Sequence, residues 1–350
     1  MKDNFKLNNF DLIRIFAATQ VLLIHSFIHT EVPFPQWFKL LAPFPGVPIF
    51  FVTSGFLISA SLERNNHLPN YFRNRILRIY PALWICIIIT VLTIFAVAKI
   101  NFFHWDGLKW FISQNLGFIY TPNFLQNWGF GSYNGALWTI PVELQFYIML
   151  PVIYQLTSYC LKTESQKTAV VFALCILFTF IAYYILAYHS NNNLKFETKI
   201  QKLLRYSFIS HFYLFMSGVL LQRLNAYRSK IINGKGLFWV TTYLAFTYYA
   251  PVNYLTQILG NVFLGVCTIS VAYTLPGIAS KILRGNDISY GVYIYHGLVL
   301  GVIVQLNLLH SQYIVLLIFL TTYLLAFFSW RLIEKPSIQK KDQHLQAPAT

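Results

Sequence analysis

Apolar runs of about twenty residues, separated by short polar breaks, recur along nearly the whole chain. A helix rises about 1.5 Å per residue and satisfies its own backbone, so runs of this length cross a hydrocarbon core of ~30 Å. The pattern predicts ten spans, at about 10–30, 44–62, 79–99, 137–157, 169–188, 205–223, 236–252, 258–276, 288–307 and 313–332. The fold class expected is therefore all-α, a polytopic bundle of about ten transmembrane helices. One membrane domain fills 1–337, and 338–350 is read as a short, polar, disordered tail. The first run has no small-residue cleavage site behind it and reads as a retained helix.

Composition agrees. Charged residues make up 11% of the chain, against roughly 25% in a soluble domain. The net charge of +15 punctuates the helices instead of forming a basic face, which excludes nucleic acid as a partner. Most Lys and Arg fall in the breaks that ten spans put on the side of the termini, so both termini are expected in the cytoplasm. The 189–205 loop, with Lys195, Lys199, Lys202 and Arg205, runs against that trend. Four cysteines without CxxC spacing exclude a disulfide framework and a zinc knuckle. The outer segments 31–43 and 100–136 are rich in Trp, Phe, Asn and Gly. They suit interfacial anchors or a platform on which sugars stack.

Several ionisable groups fall inside the spans, where each costs about 2.5–3.5 kcal/mol or more and tends to face a cavity or a partner. Arg14 and His25 are eleven residues apart, about three turns, and share one helix face with Asp11. In the fourth span Thr139, Glu143 and Tyr147 recur every four residues as a polar stripe. Glu143 and His25 lie at similar depths from the outer surface. A carboxylate there would fix the imidazole tautomer and raise its basicity, as a general base requires. The Ser54-Gly55 pair of the second span reads first as a close helix contact. Arg73, Arg75 and Arg78 cluster at the inner surface, where they serve as topology anchors or as forks for a phosphate-bearing donor. Ser289, Tyr293 and His296 share one face of the ninth span and form a further cavity wall. No metal site is expected, since HExxH is missing and no cysteine lies near His25 and His29.

Taken in order, "FDLIRIFAATQVLLIH", "GVPIFFVTSGFLIS", "RNRILRIYP", "LWTIPVELQFYIMLP", "ISYGVYIYH" and "RLIEKP" resemble the acyltransferase-3 family of membrane acyltransferases over residues 10 to 337. That resemblance implies ten helices and a bacterial inner-membrane enzyme. It would move an acyl group, mostly acetyl, from cytoplasmic acyl-CoA to a sugar of a surface polysaccharide or its lipid-linked precursor. It implies that Arg14 and His25 are the family's Arg-x10-His motif, with His25 catalytic. Arg75 and Arg78, as its Arg-x-x-Arg motif, would serve the donor, and Glu143 falls where the family keeps a Glu. Acyl-CoA would be a co-substrate, with no permanently bound cofactor. Many bacterial members add a C-terminal esterase-like domain. This chain is expected to be the stand-alone form, passing the acyl group on itself or to a separate protein. Direct attack by an acceptor hydroxyl and a transient acyl-histidine both fit the residues. Two rival readings stay open at this level. One is a multi-span glycosyltransferase using Glu31 or Asp106 on a lipid-phosphate sugar. The other is a proton-coupled transporter or flippase using Glu143, His25 and His296.

Overall fold

A computed structural model describes residues 8–65, 67–191, 203–204, 206–309 and 311–339. Lys195, Lys199, Lys202 and Arg205 of the basic loop lie outside the described residues, as does the tail from residue 340 onward. Among the described residues there is no strand. The α-helices whose bounds fall among the described residues are, in order, α1 (Phe10–Thr30), α2 (Gly46–Arg64), α3 (Leu68–Ala98), α4 (Trp105–Asn115), α5 (Thr139–Cys160), α6 (Glu164–Asn191), α7 (Phe212–Arg223), α8 (Gly236–Tyr249), α9 (Tyr254–Ala272), α10 (Ile278–Leu283), α11 (Ser289–Gln305) and α12 (Gln312–Ser329).

Each of the ten predicted spans falls on one of these helices. Among the described residues, seven helices are long and apolar enough to cross a membrane: α1, α2, α3, α5, α6, α9 and α12. Helices α7, α8 and α11 have 12, 14 and 17 residues, short of the ~20 that a perpendicular crossing takes. The protein is an all-α polytopic membrane protein. Hydroxyls inside the helices return to the carbonyl four residues back, as at Ser26, Thr30, Thr90 and Thr268. In hydrocarbon that bond satisfies a group water cannot reach.

The chain divides into two compact units that interleave in sequence. The first comprises 1–14, 43–68 and 142–284. Its centre is the crossing of α2 and α7, where two glycines let the backbones touch. A Cβ at Gly55 would collide with the Phe215 carbonyl, and one at Gly218 with the Val52 carbonyl. Phe146 stacks on Phe215 with ring centroids 4.6 Å apart and seals that crossing. The start of α1 is tied down by Asn9, whose Nδ2 donates to the Thr274 carbonyl (2.7 Å) and whose Oδ1 accepts from the Ala279 amide (3.0 Å).

The second unit comprises 15–42, 69–141 and 285–350. Here α3 and α11 run side by side and parallel. The Tyr290 hydroxyl donates to the Ile79 carbonyl (3.0 Å), and Cys86 Sγ reaches the Ile294 carbonyl (3.4 Å). Gly291 brings α11 onto Ala326 of α12, and Thr19 of α1 is joined to Tyr323 of α12 at 2.6 Å. A π-turn over Trp330–Glu334 continues α12. The wider turn alters the register of Arg331 and Glu334: Glu334 accepts from Ser329 (2.8 Å), while Arg331 lies over the Phe327 ring.

The 100–136 segment is more than an outer loop. Helix α4 lies along α3, and the chain then folds down α11. Gly129 N donates to Gln305 Oε1 (2.9 Å), and further down Asn134 Nδ2 donates to the Ile294 carbonyl (2.8 Å). Gly297 and Gly301 leave the face of α11 bare at the level of Asn134 and Trp128. From Trp110 to Val142 the chain has no charged residue and no histidine, so no charged side chain there opposes burial.

Candidate active site

Within the second unit, α1 and α11 bring His25 and His296 together. His25 Nδ1 and His296 Nε2 are 3.1 Å apart. His296 is buried, and its Nδ1 lies 3.3 Å from the Val292 carbonyl on the same helix. A carbonyl only accepts, so the proton of neutral His296 sits on Nδ1 and its Nε2 is an acceptor. Nδ1–H of His25 then donates to it, and the lone pair of His25 is left on Nε2. Two hydrogen bonds thus fix the tautomer of the outer imidazole from a backbone carbonyl two steps away. The arrangement presents a base.

Around the pair, Tyr293 packs edge-on to His296 at 5.8 Å. Its hydroxyl donates to the Ala136 carbonyl (2.8 Å) and accepts from Thr139 Oγ1 (2.8 Å). His29, one turn beyond His25, stacks on Phe130 with centroids 4.1 Å apart. Near the start of α11 Arg78 donates to Asp287 (3.0 Å). Asp287 also accepts from Ser289 Oγ and so holds the start of α11. Arg75 lies over the Tyr71 ring at 5.4 Å.

The first unit holds the remaining residues that the sequence singles out. Arg14 pairs with Asp11 across one turn of α1. Glu143 Oε1 accepts from Ser54 Oγ (3.0 Å) and from the Tyr147 hydroxyl, so Ser54, Glu143 and Tyr147 form one cluster. Gly55 is the packing residue there, and Ser54 holds a carboxylate. This unit also contains a cavity of about 760 Å³ lined by Glu63, Tyr154, Glu164, Lys167, Thr168 and Arg223. Arg223 spends all three nitrogens there, on Glu63 (2.7 Å), Glu164 (2.6 Å) and Thr168 (3.1 Å).

The sequence joins His296 to His25 only through the proton-relay alternative and otherwise sets Glu143 beside His25; nothing in it marks Asp287 as the partner of Arg78. Depth counting hid the first pair. About one and a half turns of α1 follow His25, and about two and a half turns of α11 follow His296.

Residues 7–331 match the profile of the acyltransferase-3 family, described as an acyltransferase domain. Nodulation protein 10 of Rhizobium leguminosarum bv. viciae is 31% identical, over 95% of this chain and 93% of its own length. The O-acetyl transferase of Shigella phage Sf6 is 28% identical, over 97% of this chain and 98% of its own. O-acetyltransferase OatA of Staphylococcus aureus is 25% identical over 57% of this chain and 33% of its own length. No solved structure matches. A profile match across nearly the whole chain, with full-length relatives beside it, makes this protein an acyltransferase and a member of the acyltransferase-3 family.

Proposed function

We propose that the protein is an O-acyltransferase of the bacterial inner membrane, most often an O-acetyltransferase. Its donor is cytoplasmic acyl-CoA, and its acceptor is a sugar hydroxyl of a cell-surface polysaccharide or of its lipid-linked precursor. The observation that carries this reading is the ordered chain from the Val292 carbonyl through His296 to His25, which leaves a base on His25 Nε2. The names of the full-length phage relative and of the staphylococcal one, both O-acetyl transferases, support the choice of acyl group.

In this reading His25 Nε2 takes the proton from the acceptor hydroxyl as its oxygen attacks the thioester carbonyl. The C–S bond breaks, the acyl group stays on the sugar oxygen, and His25 returns the proton to the departing CoA thiolate. Glu143, whose carboxylate accepts from Ser54 and Tyr147, is the second catalytic group of this reading. Arg75 and Arg78 bind the CoA phosphates, a task for which the guanidinium fork is suited. Arg14 stands at the donor's entrance, positioned by Asp11. Ten crossings with both termini in the cytoplasm complete the proposal.

The test is thioester cleavage by the purified, reconstituted protein, followed as CoA release in the presence of a glycan acceptor. His25→Ala should lower the rate by about 10²–10⁴-fold, the usual contribution of a general base. Cleavage at the wild-type rate by a well-folded His25→Ala protein would remove His25 from the chemistry.

A further inference from the structure

Helix α4 and the chain that follows it sit where a solvent-exposed loop has no reason to be. The end of α4 is capped from the side of α3: Trp84 Nε1 donates to the Asn115 carbonyl (3.0 Å), and the Tyr80 hydroxyl donates to the Leu116 carbonyl (3.2 Å). Carbonyls at a helix C-terminus need partners from outside the helix, and at a wet surface water supplies them. Here two aromatic side chains do. Trp84 is fourteen residues before the end of α3 at Ala98, which puts it about 21 Å down that helix.

The side chains of α4 change character in step. Its first turns expose Asp106 and Lys109, with the Lys109 ammonium over the Trp105 ring at 5.1 Å. Its later part exposes Ile112, and then come Leu116 and Phe118, with no charge. Leu108, Ile112 and Leu116 recur every four residues as one exposed stripe. On α3 the residues Trp84, Ile88 and Leu92 form a second exposed stripe at the same spacing. The opposite side of α4 is closed, with Trp110 and Gln114 buried and Gln114 accepting from the Tyr133 hydroxyl (2.6 Å).

We propose that α4 is a half-membrane wedge. It enters at the C-terminal end of α3 with its charged first turns among the headgroups. Its Leu108–Ile112–Leu116 stripe is covered by the acyl chains of that leaflet, continuous with the lipid-facing stripe of α3. Non-helical backbone at that depth is tolerated where protein buries it, and Trp128, Tyr133, Asn134, Ala136 and Leu137 are buried in the stretch that Gly129 and Asn134 tie to α11. This surface is independent of the chemistry assigned to His25, so either can fail without the other.

The experiment uses the full chain with the exposed Cys160 changed to Ser and one cysteine introduced at a time: Asp106→Cys, Ile112→Cys or Leu116→Cys. Each is labelled with a small fluorophore, reconstituted into phosphatidylcholine–phosphatidylglycerol vesicles, and challenged with aqueous iodide and with lipids bearing a nitroxide midway along the acyl chain. At Asp106→Cys iodide should quench. At Leu116→Cys iodide should lose its effect and the nitroxide lipid should quench, with Ile112→Cys following Leu116→Cys and standing in for it if that variant does not fold. Iodide quenching at 112 and 116 equal to that at 106 would overturn the proposal by placing the stripe in water. Absence of quenching by either reagent would also overturn it, by showing a second copy or another protein on the stripe.

Discussion

In the proposed mechanism the chemistry at His25 turns on which ring nitrogen holds the proton, and His296 decides that. His296→Ala removes the acceptor for Nδ1–H and frees the ring to turn or to switch tautomer. The expected result is a fall in kcat of roughly 10²-fold, the lower range for impaired general-base catalysis. The KM for the donor should stay near its starting value. His296→Gln should restore part of the rate, because its amide oxygen can accept from His25 while its amide nitrogen donates to the Val292 carbonyl. A structural role alone would lower both variants equally and leave the donor KM-against-kcat split unchanged. The individual residues were legible in the sequence because ionisable groups inside apolar runs stand out by their cost. Their partners were less so. Asp287 lies just outside a span, beside a positive cluster, and carries no mark of its pairing with Arg78 until α3 and α11 are seen side by side.

Helix positions were read well because a membrane imposes a length and a composition on anything that spans it. Helix contacts were not, since lipid gives no hydrophobic preference to one apolar face over another and close approach depends on small residues. Gly55 shows the limit: the sequence flagged a packing site but not its counterpart Gly218, 163 positions later. Gly55→Ala should force α2 and α7 apart and cost about 1–3 kcal/mol, as overpacking does. A lowered Tm of the detergent-purified protein, matched by Gly218→Ala, is the expected outcome. An unchanged Tm for both would mean that the crossing gives way easily. The α4 segment escaped the sequence reading for a different reason. An 11-residue helix with two charges in its first turns is too short and too polar to score as a span.

On the scale of the whole molecule, the placement of basic residues predicts that the Arg78 end of α3 faces the cytoplasm and Asp106 the opposite side. Single cysteines at those two positions, probed in spheroplasts and in inverted vesicles with an impermeant maleimide, should label from opposite sides. Labelling of the position-78 cysteine in spheroplasts would reverse the donor's direction of entry and with it the assignment of Arg75 and Arg78. The division into two interleaved units is not visible in any local stretch. Helices α1 and α5 each contribute to both, and periodicity has no information on which contacts a continuous helix makes at each of its ends.

The seating of Asn134 on the Ile294 carbonyl has a consequence in time. The two residues are 160 positions apart. At about 5–20 residues per second, the ribosome needs roughly ten to thirty seconds to make the one after the other. Through that interval α4 and the irregular stretch behind it have α3 but not α11, and the bare glycine face that receives them does not yet exist. The segment must wait at the membrane surface or be held by the insertion machinery, and it folds inward only when the last quarter of the chain arrives. Truncation before α11 should therefore leave residues 126–138 open to protease in otherwise inserted chains, although the cut lies far downstream of them.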